Sequence, residues 1–347
     1  MSKIVAITET GHEIHQKGEV LELRRAGKLA RTLKLAELEQ LWLFGQVEIT
    51  HAALMALLER GVDVVLLTKG GSFRGRLLGR ASRHVELRAC QYRNLSRPEF
   101  SLEIAKNIVE AKIKNQRHLA LRAQATLGDE SLSEALGELR VLANQVPQVA
   151  TREELLGLEG SAARVYFGIF GKLIKNPLFS FSQRTRRPPR DPVNACLSFG
   201  YVMLTTLVEG EVAAAGLDPM LGAFHQPEYG RPSLALDIVE EFRALIVDAV
   251  TIRLINRRQL VPADFGSPSE ALGQDQLIAD ADDSGAVYLL ERGRKIFIRE
   301  FLARLREEVF DPREGIHTDW RGIIRGQVYR FARAIKGEGP YVAFVQR

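Results

Sequence analysis

The sequence predicts an α+β fold, in which a small β-rich domain at residues 1–92 precedes a larger all-α domain at residues 98–347. Before residue 92 the apolar residues come in short runs separated by glycines and charged residues, which is typical of strands. After Pro98 they recur every three or four residues, as on one face of a helix. The 347 residues also suffice for two domains, since most domains contain roughly 100–150 residues.

Short apolar runs in the first domain predict strands at Lys3–Thr8, Val20–Leu23, Gln46–Ile49, Val62–Leu67 and Arg74–Leu78. One helix interrupts them. Thr50 can cap its N-terminus, Leu54, Leu57 and Leu58 recur at helical spacing, and Gly61 ends it. We therefore expect a small sheet with one helix, a module of the size that mediates dimerisation.

Turn-forming residues at Gln91–Pro98 predict the boundary between the two domains. Beyond it, helices are predicted at Phe100–Leu127, Thr151–Ile174, Asp191–Gly216, Ser233–Asn256 and Lys295–Phe310. Asp191 as N-cap with Pro192 at the first helical position opens the third helix, and Ser233 is expected to cap the fourth. Residues 262–284 are predicted to form a loop.

The composition is that of an ordinary globular protein with a basic excess. Charged residues make up 26% of the chain and the net charge is +5, which favours polyanionic partners. Two distant cysteines indicate a reducing cytoplasm rather than a disulfide framework. We expect no signal peptide and no membrane association, because no apolar run approaches the roughly 20 residues that cross a bilayer.

Glu159, His225 and Glu240 are the candidate ligands of a hard divalent cation, because carboxylates and an imidazole suit Mg²⁺ or Mn²⁺. A lone histidine is more often a core or surface residue, but His225 precedes a turn-rich loop, where ligands concentrate. Glu240 lies on a partly apolar helix face and equally fits a surface pair with Arg243. Asp237 and Glu241 remain rivals for its role, and periodicity does not choose among them.

Glu159 lies in a helix rich in small residues. Gly157 and Gly160 are unfavourable inside a helix, by roughly 1 kcal/mol each relative to alanine. We interpret them as positions where a neighbouring helix or a ligand approaches closely, although ordinary helix packing explains them as well.

A basic run is a candidate phosphate clamp. It contains Arg184, Arg186, Arg187 and Arg190, Pro188 and Pro189 stiffen it, and a helix N-terminus follows at once. Guanidinium groups beside a helix N-terminus suit phosphate binding. Charge runs are also often solvated loops, and a rigid structural turn is the alternative.

Three segments of the chain resemble CRISPR-associated protein one, the integrase of CRISPR adaptation. The first is Leu158–Phe167, with the pattern Leu-Glu-Gly-x-x-Ala-x-x-Tyr-Phe. The second is Arg186–Tyr201, with Arg-Arg-Pro-Pro-x-Asp-Pro-x-Asn-Ala-x-Leu-Ser-x-Gly-Tyr. The third is Phe224–His225 followed by Ser233–Arg243, with Ser-Leu-x-Leu-Asp-x-x-Glu-Glu-Phe-Arg. Together they cover the central third of the chain densely.

The resemblance implies that Glu159, His225 and Glu240 bind Mg²⁺ or Mn²⁺, with Asp237 adjacent and contributory, and that Arg243 joins the DNA-binding arginines. It implies a DNA endonuclease and integrase that inserts short foreign fragments into a CRISPR array by transesterification. The implied partners are DNA, a second copy of the chain in a homodimer, and the small second adaptation protein. The alternatives are a metal-dependent nuclease of branched DNA and a non-catalytic nucleic-acid-binding scaffold.

Overall fold

The computed structural model describes residues 3–79, 84–186, 188–272 and 285–346. The chain divides into two compact units, Met1–Ala81 with Asp264–Ile298, and Ser82–Ala263 with Arg299–Arg347. These divisions differ from the predicted 1–92 and 98–347. Gln91 and its neighbours form the end of a helix, Val85–Leu95, so the turn formers that predicted a domain boundary there terminate a helix instead.

The N-terminal elements are β1 (Lys3–Ile7), β2 (His12–Lys17), β3 (Val20–Arg25), β4 (Lys28–Lys34), β5 (Leu38–Phe44), β6 (Val47–Ile49), α1 (His51–Glu59), β7 (Asp63–Leu67) and β8 (Phe73–Leu77). Within residues 3–79 they form two four-stranded sheets, β1-β5-β7-β8 and β4-β3-β2-β6. In the first, β1, β5 and β7 are parallel and β8 is antiparallel. In the second, β2, β3 and β4 form an antiparallel meander and β6 runs parallel to β2.

Buried side chains from both sheets and α1 pack into a common hydrophobic cluster, which includes Ile14, Leu21, Leu41 and Leu57. The prediction of a single small sheet was wrong because β2, β4 and β5 were missed. β4 is exposed along nearly all its length and β5 is buried on both faces, so neither strand alternates between apolar and polar residues. The cap at Thr50 is confirmed, since its side chain accepts a hydrogen bond from Ala53 N.

Helices dominate the middle of the chain: α2 (Val85–Leu95), α3 (Pro98–Leu127), α4 (Ser133–Gln145), α5 (Arg152–Phe170), α6 (Pro192–Ala214), α7 (Ser233–Glu240) and, after a π-helical turn at Arg243–Asp248, α8 (Ala249–Asn256). The remaining elements are β9 (Phe265–Gly266), α9 (Pro268–Leu272), β10 (Tyr288–Leu289), α10 (Glu291–Leu305), β11 (Glu308–Asp311), β12 (Ile316–Asp319) and α11 (Trp320–Ile335). α3 packs against α4, α5 and α7, and α6 packs against α7 and α11. A β-rich beginning followed by a mostly helical remainder confirms the predicted fold class.

Asp191 caps α6 as predicted: its side chain accepts a hydrogen bond from Asn194 N, and Pro192 is the first helical residue. α6 is also the described helix that is long and apolar enough to span a membrane, although the sequence analysis found no such run. In its apolar window 78% of the residues are buried inside the fold, as in the core helix of a globular protein.

Three other helix predictions and one loop prediction need correction. The predicted helix at Thr151–Ile174 ends at Phe170, and the one at Lys295–Phe310 is α10 followed by β11. Ser233 does not cap α7, because it is the first residue of the helix and its hydroxyl donates to Gln226 O. The predicted loop at 262–284 contains β9 and α9, and its residues 273–284 lie outside the described residues.

Candidate active site

Glu159 lies in the middle of α5, a helix that begins with a capping box between Thr151 and Glu154. Gly157 and Gly160 on this helix were predicted as positions where a neighbouring helix or a ligand approaches closely. Among the described residues, no atom outside the helix backbone and the neighbouring residues lies within 4 Å of a Cβ built at either glycine. The packing of a neighbouring helix therefore does not require them, and this face of α5 is left open beside Glu159.

His225 is oriented by Asp237. Asp237 Oδ1 lies 2.7 Å from His225 Nδ1 and also accepts a hydrogen bond from His225 N, while Oδ2 accepts from Ala223 N and Phe224 N. Because Nδ1 faces a carboxylate, it carries the proton, and Nε2 keeps its lone pair for a ligand. Asp237 is fully buried with both oxygens occupied, so its contribution is to hold the imidazole.

Gly222 allows this loop to close over Asp237. A Cβ at this position would lie 2.5 Å from Asp237 Oδ2 and 2.8 Å from the Ser233 backbone. Atoms this close must move apart, so a side chain at residue 222 would displace the carboxylate that holds His225. The glycine is required for close approach rather than for an unusual backbone angle.

Glu240, the last residue of α7, is buried against three cationic or ionisable groups. Its Oε1 lies 2.7 Å from Arg243 Nη1 and 3.8 Å from His225 Nε2, and its Oε2 lies 2.8 Å from Lys112 Nζ. Burial by itself would raise the pKa of Glu240, but the charges of Arg243 and then Lys112 outweigh it and lower the pKa to about 2. Glu240 does pair with Arg243, yet the pair is inside the site and not on the surface.

Lys112 connects Glu240 to Glu159. It lies on α3, its side chain is 8% exposed, and its ammonium also forms a short ion pair with Glu159 Oε1. The carboxylates of Glu159 and Glu240, the two predicted ligands, therefore both contact the ammonium group of Lys112, and His225 Nε2 faces Glu240. The structure thus brings together the three residues that the sequence analysis selected from segments far apart in the chain.

The donor set fits a hard divalent ion. Two carboxylates and an imidazole with a free Nε2 are ligands that Mg²⁺ and Mn²⁺ accept. Among the described residues, no three His, Cys, Asp or Glu side chains are arranged at distances suited to a single ion. The carboxylates are held together by the Lys112 ammonium, so a positive charge already lies between them.

Glu241, the remaining rival for the ligand role, has a structural role. Its buried carboxylate accepts hydrogen bonds from Tyr341 Oη, Gln327 Nε2 and Phe344 N. Burial raises the pKa of Glu241 to about 7, although these three donors partly offset the effect. Glu241 therefore ties the C-terminal segment to the helical unit and does not point into the candidate site.

A buried cluster of two tyrosines and an aspartate packs against Arg243, the arginine that pairs with Glu240. Asp248, at the end of the π-helical turn, accepts hydrogen bonds from Tyr166 Oη and Tyr201 Oη, each at 2.7 Å. Burial raises the pKa of Asp248 to about 6, against the opposing effect of the two hydroxyls and of nearby Arg184 and Arg243. The guanidinium of Arg243 stacks 4.9 Å from the Tyr201 ring centroid, so this cluster fixes the arginine that contacts Glu240.

The basic run does not behave as one clamp. Arg184 donates to Asn194 Oδ1 and Ser198 Oγ and stacks over Tyr201, so it braces the start of α6. Arg186 is exposed and Arg190 lies on the surface, whereas Arg187 lies outside the described residues. Of the described arginines in this run, Arg186 and Arg190 have the solvent access that a phosphate contact requires, and Arg186 also lines the groove beside α5.

An open groove of about 410 Å³ runs along α5 from Gly160 to Gly168. It is lined by Gly160, Ala163, Arg164, Phe167, Gly168, Ser182, Gln183, Arg184 and Arg186. Its guanidinium groups and one aromatic ring are the components that bind a nucleic-acid strand by phosphate contact and base stacking.

Sequence reasoning missed Lys112, Arg164, Tyr201 and Asp248. Arg164 and Tyr201 lie inside the segments that resemble the known family. Their location in these segments is the one feature of the sequence that could have identified them as functional. Lys112 is one of several basic residues on a long amphipathic helix, and no local pattern distinguishes it from Lys114. Its role depends on contacts with residues 47 and 128 positions away, which only the fold establishes.

The fold and the site define a class: an α+β protein whose helical unit carries a carboxylate–imidazole centre beside a basic groove. The sequence model of the family described as CRISPR associated protein Cas1 matches residues 5–302. The chain therefore belongs to the Cas1 family.

Individual relatives agree with this assignment. A CRISPR-associated exonuclease Cas4/endonuclease Cas1 fusion of Geobacter sulfurreducens is 35% identical over 96% of this chain, which spans 58% of the fusion's length. A CRISPR-associated endonuclease Cas1 of Thermus thermophilus is 32% identical over 99% of this chain and 97% of its own length. Among solved structures, a Cas6-RT-Cas1--Cas2 complex is similar over 100% of this chain and 36% of the matched chain, with a TM-score of 0.82 and 25% identity.

Proposed function

We propose that this chain is a divalent-cation-dependent DNA endonuclease and integrase of CRISPR adaptation, which inserts short DNA fragments as new spacers. The observation that carries the proposal is the convergence of Glu159, His225 and Glu240 in a member of the Cas1 family. Relatives named as Cas1 endonucleases support the activity. Mg²⁺ or Mn²⁺ is the proposed cofactor, with these three side chains as its ligands.

The proposed reaction exchanges one phosphodiester for another. The 3′-oxygen of the fragment forms a bond to the target phosphorus and loses its proton, while the target strand's 3′-oxygen leaves and gains one. The step is close to isoenergetic and needs no nucleotide triphosphate. When bound, the cation would act as a Lewis acid on the phosphoryl oxygen and lower the proton affinity of the attacking oxygen.

The chain's own residues would prepare the site for this exchange. Asp237 holds His225 so that Nε2 faces Glu240. Arg243, fixed against Tyr201, keeps Glu240 ionised in its buried position. Arg164 and Arg186 in the open groove are the proposed phosphate contacts that align the strand with Glu159.

We further propose a homodimer joined through the N-terminal β-rich domain and a complex with the small second adaptation protein. The Cas6-RT-Cas1--Cas2 assembly, in which a similar chain takes part, supports the second partner. The homodimer is proposed from the family assignment and from the preference of oligomers for closed two-fold symmetry.

The test is strand joining between a short duplex with free 3′-hydroxyls and a plasmid that contains a repeat array. His225→Ala should abolish metal-dependent joining and leave DNA binding largely intact, because phosphate contacts come from the arginines. His317→Ala, in the exposed part of the β11–β12 hairpin, is the control and should join like the wild type. Joining by His225→Ala at near the wild-type rate in Mn²⁺ would refute the proposed site.

The same assay distinguishes an integrase from the two alternatives, a nuclease of branched DNA and a non-catalytic scaffold. A nuclease of branched DNA would cleave branched substrates, would not join fragments, and would be indifferent to a fragment that lacks its 3′-hydroxyls. An integrase loses all joined product with that fragment. A non-catalytic scaffold would bind the DNA and yield neither product.

A further inference from the structure

The ammonium of Lys112 lies between two carboxylates that the proposed function assigns to a metal ion. Its Nζ is 2.8 Å from Glu240 Oε2 and forms a short ion pair with Glu159 Oε1. Lys112 is 8% exposed at its side chain and Glu240 is 2% exposed, so water does little to screen the pair. A buried charge of this kind is stable only with a partner.

The charge balance of the cluster sets a condition on metal binding. Glu159, Asp237 and Glu240 carry three negative charges, and Lys112 and Arg243 carry two positive ones. With a neutral imidazole at His225, one negative charge is left over. If both cationic side chains stayed in place, a bound divalent ion would turn the net charge of the cluster from negative to positive. An uncompensated positive charge is unfavourable in a buried site.

Lys112 is the cation that can move. The guanidinium of Arg243 stacks on Tyr201, whose hydroxyl is bonded to buried Asp248. Lys112 has a flexible four-carbon stem and its described ion pairs are those with the two carboxylates. Removing the ammonium from between the carboxylates frees an oxygen on each of them for the metal ion.

We propose that Lys112 is an internal counter-ion that occupies the site until a divalent cation displaces it, and that it thereby sets the affinity of the site for the metal. This inference rests on the proposed function, because it takes Glu159 and Glu240 as ligands. It makes Lys112 a positioning residue that keeps two facing carboxylates stable before the metal binds.

The experiment measures Mn²⁺ binding by electron paramagnetic resonance, without DNA, on the full chain. Lys112→Met should bind Mn²⁺ at least about tenfold more tightly than the wild type, because the competing charge is gone. Its melting temperature should fall without metal and rise more than that of the wild type when Mn²⁺ is added. Lys112→Arg, which keeps the charge, should remain close to the wild-type affinity.

Lys114→Met is the matched control, since Lys114 lies on the same helix but pairs with Glu110 at the surface. It should leave the Mn²⁺ affinity unchanged. Equal or weaker Mn²⁺ binding by Lys112→Met would overturn the inference while leaving the metal site intact. Failure of the metal site itself would appear differently, as wild-type binding that His225→Ala does not reduce.

A second measurement on the wild type covers the case in which Lys112→Met does not fold. Amine-reactive labelling followed by mass spectrometry should modify Lys112 slowly without metal and faster as Mn²⁺ is added, because the displaced ammonium gains access to solvent. Lys114 should label equally in both conditions. Labelling of Lys112 that stays unchanged at saturating Mn²⁺ would overturn the inference.

Discussion

Replacing Asp237 with asparagine should weaken metal binding although all three proposed ligands keep their side chains. The carboxylate accepts hydrogen bonds from three backbone amides, at residues 223, 224 and 225, and contacts His225 Nδ1. An asparagine has one acceptor oxygen and would turn an NH₂ group toward other donors. His225 would lose its orientation, and loss of such a supporting carboxylate typically costs about 10–100-fold in metal affinity.

The structure also sets the expected loss of stability. Hydrogen bonds to a charged acceptor contribute about 1.5–3 kcal/mol each, and at least one buried amide would be left unpaired. We expect Asp237→Asn to lower the free energy of unfolding by about 2–4 kcal/mol. That corresponds to a melting temperature lower by roughly 5–15 °C for a unit of this size.

The assay is a Mn²⁺ titration read by magnetic resonance and by strand joining. Joining by Asp237→Asn should recover at high Mn²⁺, whereas His225→Ala should not recover, because it lacks a ligand altogether. Asp311→Asn is the control: Asp311 is also buried and bonded to Arg330 and a backbone amide, so it should lose stability without losing Mn²⁺ affinity. Wild-type Mn²⁺ affinity in Asp237→Asn, or an equal loss in the control, would refute the reasoning.

Three further predictions concern DNA contacts, pH and assembly. Arg164→Ala and Arg186→Ala should each reduce the log–log salt slope of DNA binding by roughly 0.7–0.9. Arg184→Ala should chiefly lower the melting temperature, because Arg184 is hydrogen-bonded within the fold. An unchanged salt slope in both groove variants would contradict this prediction. The folded-state pKa of Asp248 is about 6, above its ordinary value of 3.8, so its contribution to stability is fully present below pH ~4 and falls by about 3 kcal/mol as the pH rises past 6. The unfolding free energy of the wild type minus that of Asp248→Asn should therefore drop between pH 4 and 7. A difference that stays constant over this range would contradict the pKa assigned to Asp248. The proposed homodimer predicts twice the chain mass by light scattering at micromolar concentration, and a monomer there would exclude it.

Local patterns sufficed for the elements whose signals are local. The caps at Thr50 and Asp191 were predicted because each requires one side chain and the backbone amide three residues later. The helix at Pro98–Leu127 was predicted within two residues of its start because its apolar spacing persists over many turns. Strands β2, β4 and β5 were missed for different reasons: Ile14 is the one apolar residue of β2, β4 is exposed along nearly all its length, and β5 is buried on both faces, so none of them shows alternating apolar and polar residues.

The sequence by itself determined the fold class, the family resemblance and the choice of Glu159, His225 and Glu240. These residues lie within short segments whose residue types and order carry the information. The tertiary structure decided how they act: Asp237 orients His225, Glu241 holds the C-terminal segment, and Lys112 lies between the two carboxylates. Such roles depend on which side chains meet across distant helices and on how burial changes their charge, and neither is encoded in local spacing.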